Sequence, residues 1–188
     1  MNRFRFVIGL FLVVSIAFCA GCGGGGGKSS GTNTINISEY FPLKVGNSWS
    51  YNSVEGDYTW TVDSTTVKFG SVDVHEIHVD SSMAYYWTSD SNGLTDYGYR
   101  YSGELYDNNP PVHIPNGLLN GATGRIDSTT TYKIQKYGSY TDPSTHKTFD
   151  DTILLTSFHD GDIGSAIYAK GIGLIRNNGD SLNSWTVH

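Results

Sequence analysis

The 188-residue chain reads as an all-β protein, an antiparallel meander of eight or nine strands that forms a curved half-barrel or a sandwich. Three observations predict it. Apolar residues recur with period two, and no stretch shows a convincing 3.6-residue period. The composition favours strands and turns, with 13 Tyr and 23 Gly and only 16% charged residues, below the usual quarter or so. Turn pairs such as Glu55-Gly56, Asn92-Gly93, Asp160-Gly161 and Asn178-Gly179 punctuate the alternating runs at hairpin spacing.

The N-terminus is a separate element. Arg3 and Arg5 precede an apolar run from Val7 to Phe18, the layout of a secretory signal. The run is too short for a membrane-spanning helix, which needs about twenty apolar residues. Ala20-Gly21 followed by Cys22 resembles a bacterial lipobox, with Cys19 where Leu is usual. The resemblance implies cleavage after Gly21, palmitate-type acylation of Cys22 and attachment to a membrane through that lipid. Gly23 at the next position is similar to the outer-membrane sorting signal of Gram-negative lipoproteins. Whether the domain then faces the periplasm or the exterior is left open. Loss of residues 1–21 takes two Arg and no acid, leaving 167 residues with net charge −8. Five glycines, Gly23 to Gly27, open a tether that reads as flexible coil to residue 37. They are no phosphate loop, because no strand precedes them and no helix follows.

One domain is expected over residues 38–188. Its strands fall near 47–54, 57–68, 71–80, 83–89, 94–102, 125–137, 147–158 and 164–176, with a short one at 183–187. Trp49 with Tyr51, and Tyr58 with Trp60 and Val62, each mark one buried face. Tyr97, Tyr99 and Tyr101 alternate in the same way, as do Ile126, Ser128, Thr130, Tyr132 and Ile134, and Phe149, Asp151, Ile153 and Leu155. Between Val74 and Ile77 the apolar parity switches, which calls for a β-bulge or for burial of both faces. Residues 103–124, with Pro110, Pro111 and Pro115, read as a long loop covering an open end of the sheet. In that reading Leu118 and Leu119 are flap residues over a ligand pocket, and Tyr97, Tyr99 and Tyr101 are its wall or a sugar-stacking platform, where the simpler reading makes them half-buried filler with a wet hydroxyl.

Chemistry is sparse. Gly179-Asp180-Ser181-Leu182 matches a hydrolase nucleophile block, but the only later His is the final residue, His188. A hairpin turn accounts for it. His75 and His78 lie three apart, so on a regular strand they point to opposite faces rather than to one metal. Asp90-Ser-Asn-Gly93 and His159-Asp-Gly-Asp162 lack the distal Glu of a calcium loop. The two Cys are consumed by the signal and the lipid. No catalytic residue, metal or cofactor is therefore expected, and a net charge of −6 excludes a basic footprint for nucleic acid.

Phe41-Pro-Leu-Lys-Val-Gly-Asn-Ser-Trp-Ser-Tyr51 and Tyr168-Ala-Lys-Gly-Ile-Gly-Leu-Ile-Arg176 resemble the PLxxGNxWxY and YAKGVGLV signatures of a group of uncharacterised Gram-negative outer-membrane lipoproteins. That resemblance implies a fold similar to LolA-like half-barrels and carries no catalytic residue. Read from the residues, both motifs are structural, with Gly171 and Gly173 letting a strand bend or a bulky neighbour approach. The expected function is a lipid-anchored, non-enzymatic binding or structural module of the cell envelope. The alternatives are a carrier or sensor of a lipophilic ligand and, third, a glycan-binding domain. The expected partners are the membrane, an envelope protein or a lipophilic ligand.

Overall fold

The computed structural model describes residues 33–188, of which 66% are strand and 3% helix. The strands are β1 (Thr34–Ile35), β2 (Ser48–Asn52), β3 (Tyr58–Phe69), β4 (Val72–His78), β5 (Met83–Asp90), β6 (Gly93–Tyr101) and β7 (Glu104–Pro115). They continue as β8 (Leu118–Leu119), β9 (Thr123–Arg125), β10 (Thr130–Thr141), β11 (Thr148–His159), β12 (Asp162–Ala169), β13 (Gly173–Asn177) and β14 (Asp180–Thr186). A single 3-10 turn, Ile37–Tyr40, follows β1. The sheet is all-antiparallel and meandering, as the alternation predicts, and it bends into a nearly closed barrel. The signal and most of the tether, including Cys22, lie outside the described residues.

Twelve strands form one sheet in the order β7-β6-β5-β4-β3-β2-β14-β13-β12-β11-β10-β9, and β1 pairs separately with β8. The first six of these strands and the last six are therefore two consecutive meanders joined where β14 pairs with β2. The strand count exceeds the expected eight or nine for identifiable reasons. The segment 164–176 is split by the turn Lys170–Ile172, where Gly171 takes φ +70°. The supposed loop 103–124 is mostly β7, paired with β6 over Glu104–Asp107 and Val112–Pro115, with residues 108–111 bulged out between. Pro110 and Pro111 fall in that unpaired stretch and Pro115 ends an edge strand with one neighbour, positions where a missing N–H is tolerated.

The folded part also begins earlier than residue 38. Ile35 and Ile37 are fully buried. Ser38 hydrogen-bonds Asn116 through both its N–H and its hydroxyl, and Gly171 N–H donates to the Glu39 carbonyl at 2.8 Å. The N-terminal segment thus packs across the sheet rim that carries the turns after β5, β7 and β12. Flexible tether and plug are different things here: Ile35, Ile37, Tyr40 and Phe41 supply the apolar surface that a Gly/Ser coil lacks.

Inside, the core is contiguous. Tyr58 stacks on Tyr51 at 5.1 Å, Tyr51 meets Trp60 edge-on at 5.8 Å, and Trp60 meets Trp87 at 6.0 Å. Phe41 lies 4.5 Å from Tyr168 and 6.1 Å from Trp87, ring centre to ring centre, which ties the two meanders together through the N-terminal segment. Such pairs each add about 0.5–1.5 kcal/mol beyond their buried area. Gly173, at φ +109°, is the close approach that its place in the sequence predicts. A Cβ there would sit 3.1 Å from the Trp49 indole, whose N–H donates to the Ile172 carbonyl.

The β10–β11 hairpin does not stay flat. Its register slips around Tyr137 and Ser139 on one strand and Asp150 and Asp151 on the other. Past the slip, Phe149 packs on Trp185 at 5.6 Å and Lys147 Nζ lies 5.3 Å over the Trp185 ring. Arg176 donates to buried Asp142 at 3.0 Å. Burial works to raise the Asp142 pKa, but bonds from Thr145, Arg176 and Ser144 outweigh it and hold the carboxyl below its ordinary value.

Candidate functional site

The expected site residues separate into three places. Tyr99 and Tyr101 are half-buried against the core, Tyr99 facing Tyr85 at 6.5 Å and stacked on the exposed Tyr106 at 4.9 Å. Tyr97 is not with them. Trp87 pairs with Asp96 and Tyr86 with Gly98, so Tyr97 is the extra residue of a bulge and its ring turns to the outer face, 5.6 Å from Phe69. A shared tyrosine face at 97, 99 and 101 is thereby corrected. Leu118 pairs with Ile35 and packs on the core, while Leu119 pairs with Thr34 and is exposed. They form a two-strand clasp for the N-terminal segment rather than the tip of a free flap.

The bulge has a second consequence. By skipping Tyr97 it keeps Asp96 on the inner row with Leu94 and Tyr99. Asp96 is only 8% exposed and accepts the Gly98 N–H at 2.8 Å. Burial raises its pKa from 3.8 to about 7, against the opposing pull of the Gly98 N–H and of the Trp87 and Asn108 side chains. Gly98 itself, at φ +130°, has no room for a side chain, because a Cβ would fall 2.1 Å from the Tyr106 carbonyl oxygen of β7.

The space left inside is small. An interior cavity of about 50 Å³ is walled by Phe41, Trp60, Trp87, Leu155 and Leu174, with Ser157 and Asn177 as polar members. A few waters fit, whereas drug-sized ligand pockets span about 300–1,000 Å³. The indole N–H of Trp60 is buried without a hydrogen-bond partner.

Two polar clusters lie at the surface. On the outer face, Glu76 is buried beneath Arg100 and Tyr86, whose hydroxyl donates to it at 3.3 Å. His78 Nε2 stands 3.1 Å from Asp63 and 3.5 Å from Glu76. His75 pairs with Trp87 on the inner row and His78 with Ala84, so the two His do face opposite ways. Burial lowers the His75 pKa. Among the described residues no group of three His, Cys, Asp or Glu is placed to hold a metal ion.

The second cluster sits at the rim closed by the N-terminal segment. A pocket of about 220 Å³ is walled by Thr34, Asn36, Glu39, Tyr40, Asp151 and Lys170, with Lys136 completing it. Lys170 Nζ is 2.7 Å from Glu39 and 3.9 Å from Asp151, and the Tyr40 hydroxyl donates to Asp151 at 2.9 Å. The bond to Glu39 raises the Lys170 pKa; burial, then the Asp151 bond, raises that of Tyr40. Asp151 is the one residue among these with a left-handed backbone, φ +49°, a conformation that costs a non-glycine residue about 1 kcal/mol or more. It occurs inside β11, at the register slip, and presents the carboxylate to the pocket.

Sequence reasoning missed Asp96 and this rim set. Asp96 has the parity of Leu94 but is followed by a bulge that no local pattern marks. Glu39 and Tyr40 were assigned next to a tether, and Lys170 to a strand. The hydrolase-like block lies in the β13–β14 hairpin, where buried Ser181 accepts from Arg176 at 2.8 Å and Asp180 accepts the Tyr58 hydroxyl at 2.9 Å. No family model, curated protein or solved structure matches the chain.

Proposed function

We propose that the protein is a lipid-anchored lipoprotein of the Gram-negative outer membrane, tethered through Cys22, whose β-domain is a non-enzymatic binding or structural module acting through its surface. The observation that carries this reading is the filled interior. Phe41, Trp60, Trp87 and Tyr168 occupy the volume that a carried lipid would need and leave about 50 Å³. The address rests on Arg3, Arg5, the apolar run and Ala20-Gly21-Cys22, and the family resemblance of the two signature segments supports it. The clasp formed by β1 and β8 agrees with a domain held by its N-terminus, since a pull on the tether is borne by backbone pairing and by buried Ile35 and Ile37.

A carrier of a small lipophilic ligand is the second reading. One observation favours it: the Trp60 indole lines the apolar cavity and its N–H has no partner, a donor that a ligand carbonyl would satisfy. The anchored reading is tested with radioactive palmitate in cells. Wild type is expected to label and to sediment with membranes, and Cys22→Ala to do neither. Labelling of the variant, or an unlabelled wild type, overturns it.

A further inference from the structure

Resting on the lipid-anchored reading, we propose that the rim pocket around Lys170 and Asp151 binds a zwitterionic phosphate–amine group of the phosphoethanolamine type. The pocket contains two acids and two bases, Glu39, Asp151, Lys136 and Lys170, and is neutral overall. Its charges are already engaged with one another, at 2.7 Å for Lys170 with Glu39 and 3.9 Å for Lys170 with Asp151, and Lys136 also has interactions of its own. All are partly exposed, and exposed pairs of this kind are weak and readily exchanged.

That neutrality selects the ligand. A plain anion taking the Lys170 ammonium leaves Glu39 and Asp151 as two carboxylates without their shared cation. A plain cation taking the carboxylates strands Lys170. A molecule bearing phosphate and ammonium a few bonds apart restores every pairing at once, phosphate on Lys170 and ammonium on Glu39 and Asp151. The Tyr40 hydroxyl, already aimed at Asp151, holds the carboxylate in place during the exchange. The volume of about 220 Å³ admits such a headgroup and no acyl chain.

Position agrees with this chemistry. Thr34 and Asn36 line the pocket and lie only twelve and fourteen residues after Cys22. At about 3.5 Å per residue, twelve residues reach about 40 Å at most. With Cys22 acylated, the rim bearing the pocket stays within reach of lipid headgroups. The same chemistry is offered by a membrane lipid or by a soluble phosphate–amine.

The test is isothermal titration of the full chain in detergent with glycerophosphoethanolamine, inorganic phosphate and ethanolamine separately. Glycerophosphoethanolamine is expected to bind at least tenfold more tightly than either fragment. Lys170→Gln and Asp151→Asn, both exposed positions, are each expected to weaken it at least tenfold while keeping the wild-type melting temperature within a few degrees. Equal binding of phosphate alone, or binding unchanged in both variants, overturns the proposal. Flotation of Cys22→Ala with phosphatidylethanolamine or phosphatidylglycerol vesicles separates the sources: retention on the first only assigns the lipid, and retention on neither, with titration positive, assigns the soluble molecule. Palmitate labelling reads the anchor alone, so failure of the pocket and failure of the address give different results.

Discussion

Asp96 faces inward among aromatic rings and accepts one N–H bond of 2.8 Å. Its folded pKa, about 7, lies above the ordinary 3.8 because burial disfavours the charge. The fold therefore binds this proton more tightly than the unfolded chain does. The resulting stability is complete below about pH 4 and is lost as pH rises towards 7. Asp96→Asn keeps an acceptor for Gly98 and removes the charge, so it should stabilise the protein at pH 8 by up to about 4 kcal/mol, with little effect at pH 4. Urea unfolding of both proteins at several pH values checks this, and a difference independent of pH would contradict it. Asp80, Asp127 and Asp142 do not blur the comparison, since their lowered pKa values give stability that is present above about pH 4 and is lost only below it. The inner rows around Asp96 were legible. Period-two alternation places Trp49, Tyr51, Trp60 and Val62 inside, and all four are buried. Asp96 and Tyr97 were not, because the bulge between them is set by pairing with β5 and β7, which no window of β6 contains.

Strands announced themselves where one buried face imposed alternation, as in β2 and β10. β7 did not. As an edge strand it carries Pro and exposed polar residues, the same composition as a loop, and only its pairing to β6 reveals it. That pairing depends on Gly98, which lets the β7 backbone approach. Gly98→Ala should destabilise the domain by about 3 kcal/mol, combining left-handed strain with a backbone clash. Gly56→Ala is the control: φ is +118°, but nothing lies within 4 Å of a new Cβ, so the cost should stay near 1–2 kcal/mol. Equal losses in thermal unfolding would show that β7 does not press on Gly98. The N-terminal clasp was missed for a different reason. Ile35 and Ile37 are isolated apolar residues in a polar run, and the segment that carries them is held by partners about eighty residues away, Leu118 opposite Ile35 and Asn116 bonded to Ser38.

The chain closes on itself through β2 and β14, which puts its first long strand beside its last and leaves β7 and β9 as the free edges. Phe41 then fills the space between the two meanders, so closure and a packed interior are one event. The all-β meander follows from local alternation and turn chemistry; the degree of closure does not, because it depends on bulges and on the N-terminal segment folding back. The proposed address rests on about twenty residues at the N-terminus, while the rim pocket is assembled from Glu39, Lys136, Asp151 and Lys170, distant in sequence. Native mass spectrometry of the full chain extracted from the cell envelope tests the anchored, self-filled module most directly. The expected species begins at Cys22, carries covalent acyl groups and retains no further lipid inside the barrel. A chain without acyl groups, or one with a second, non-covalent lipid that is lost on unfolding, would contradict it.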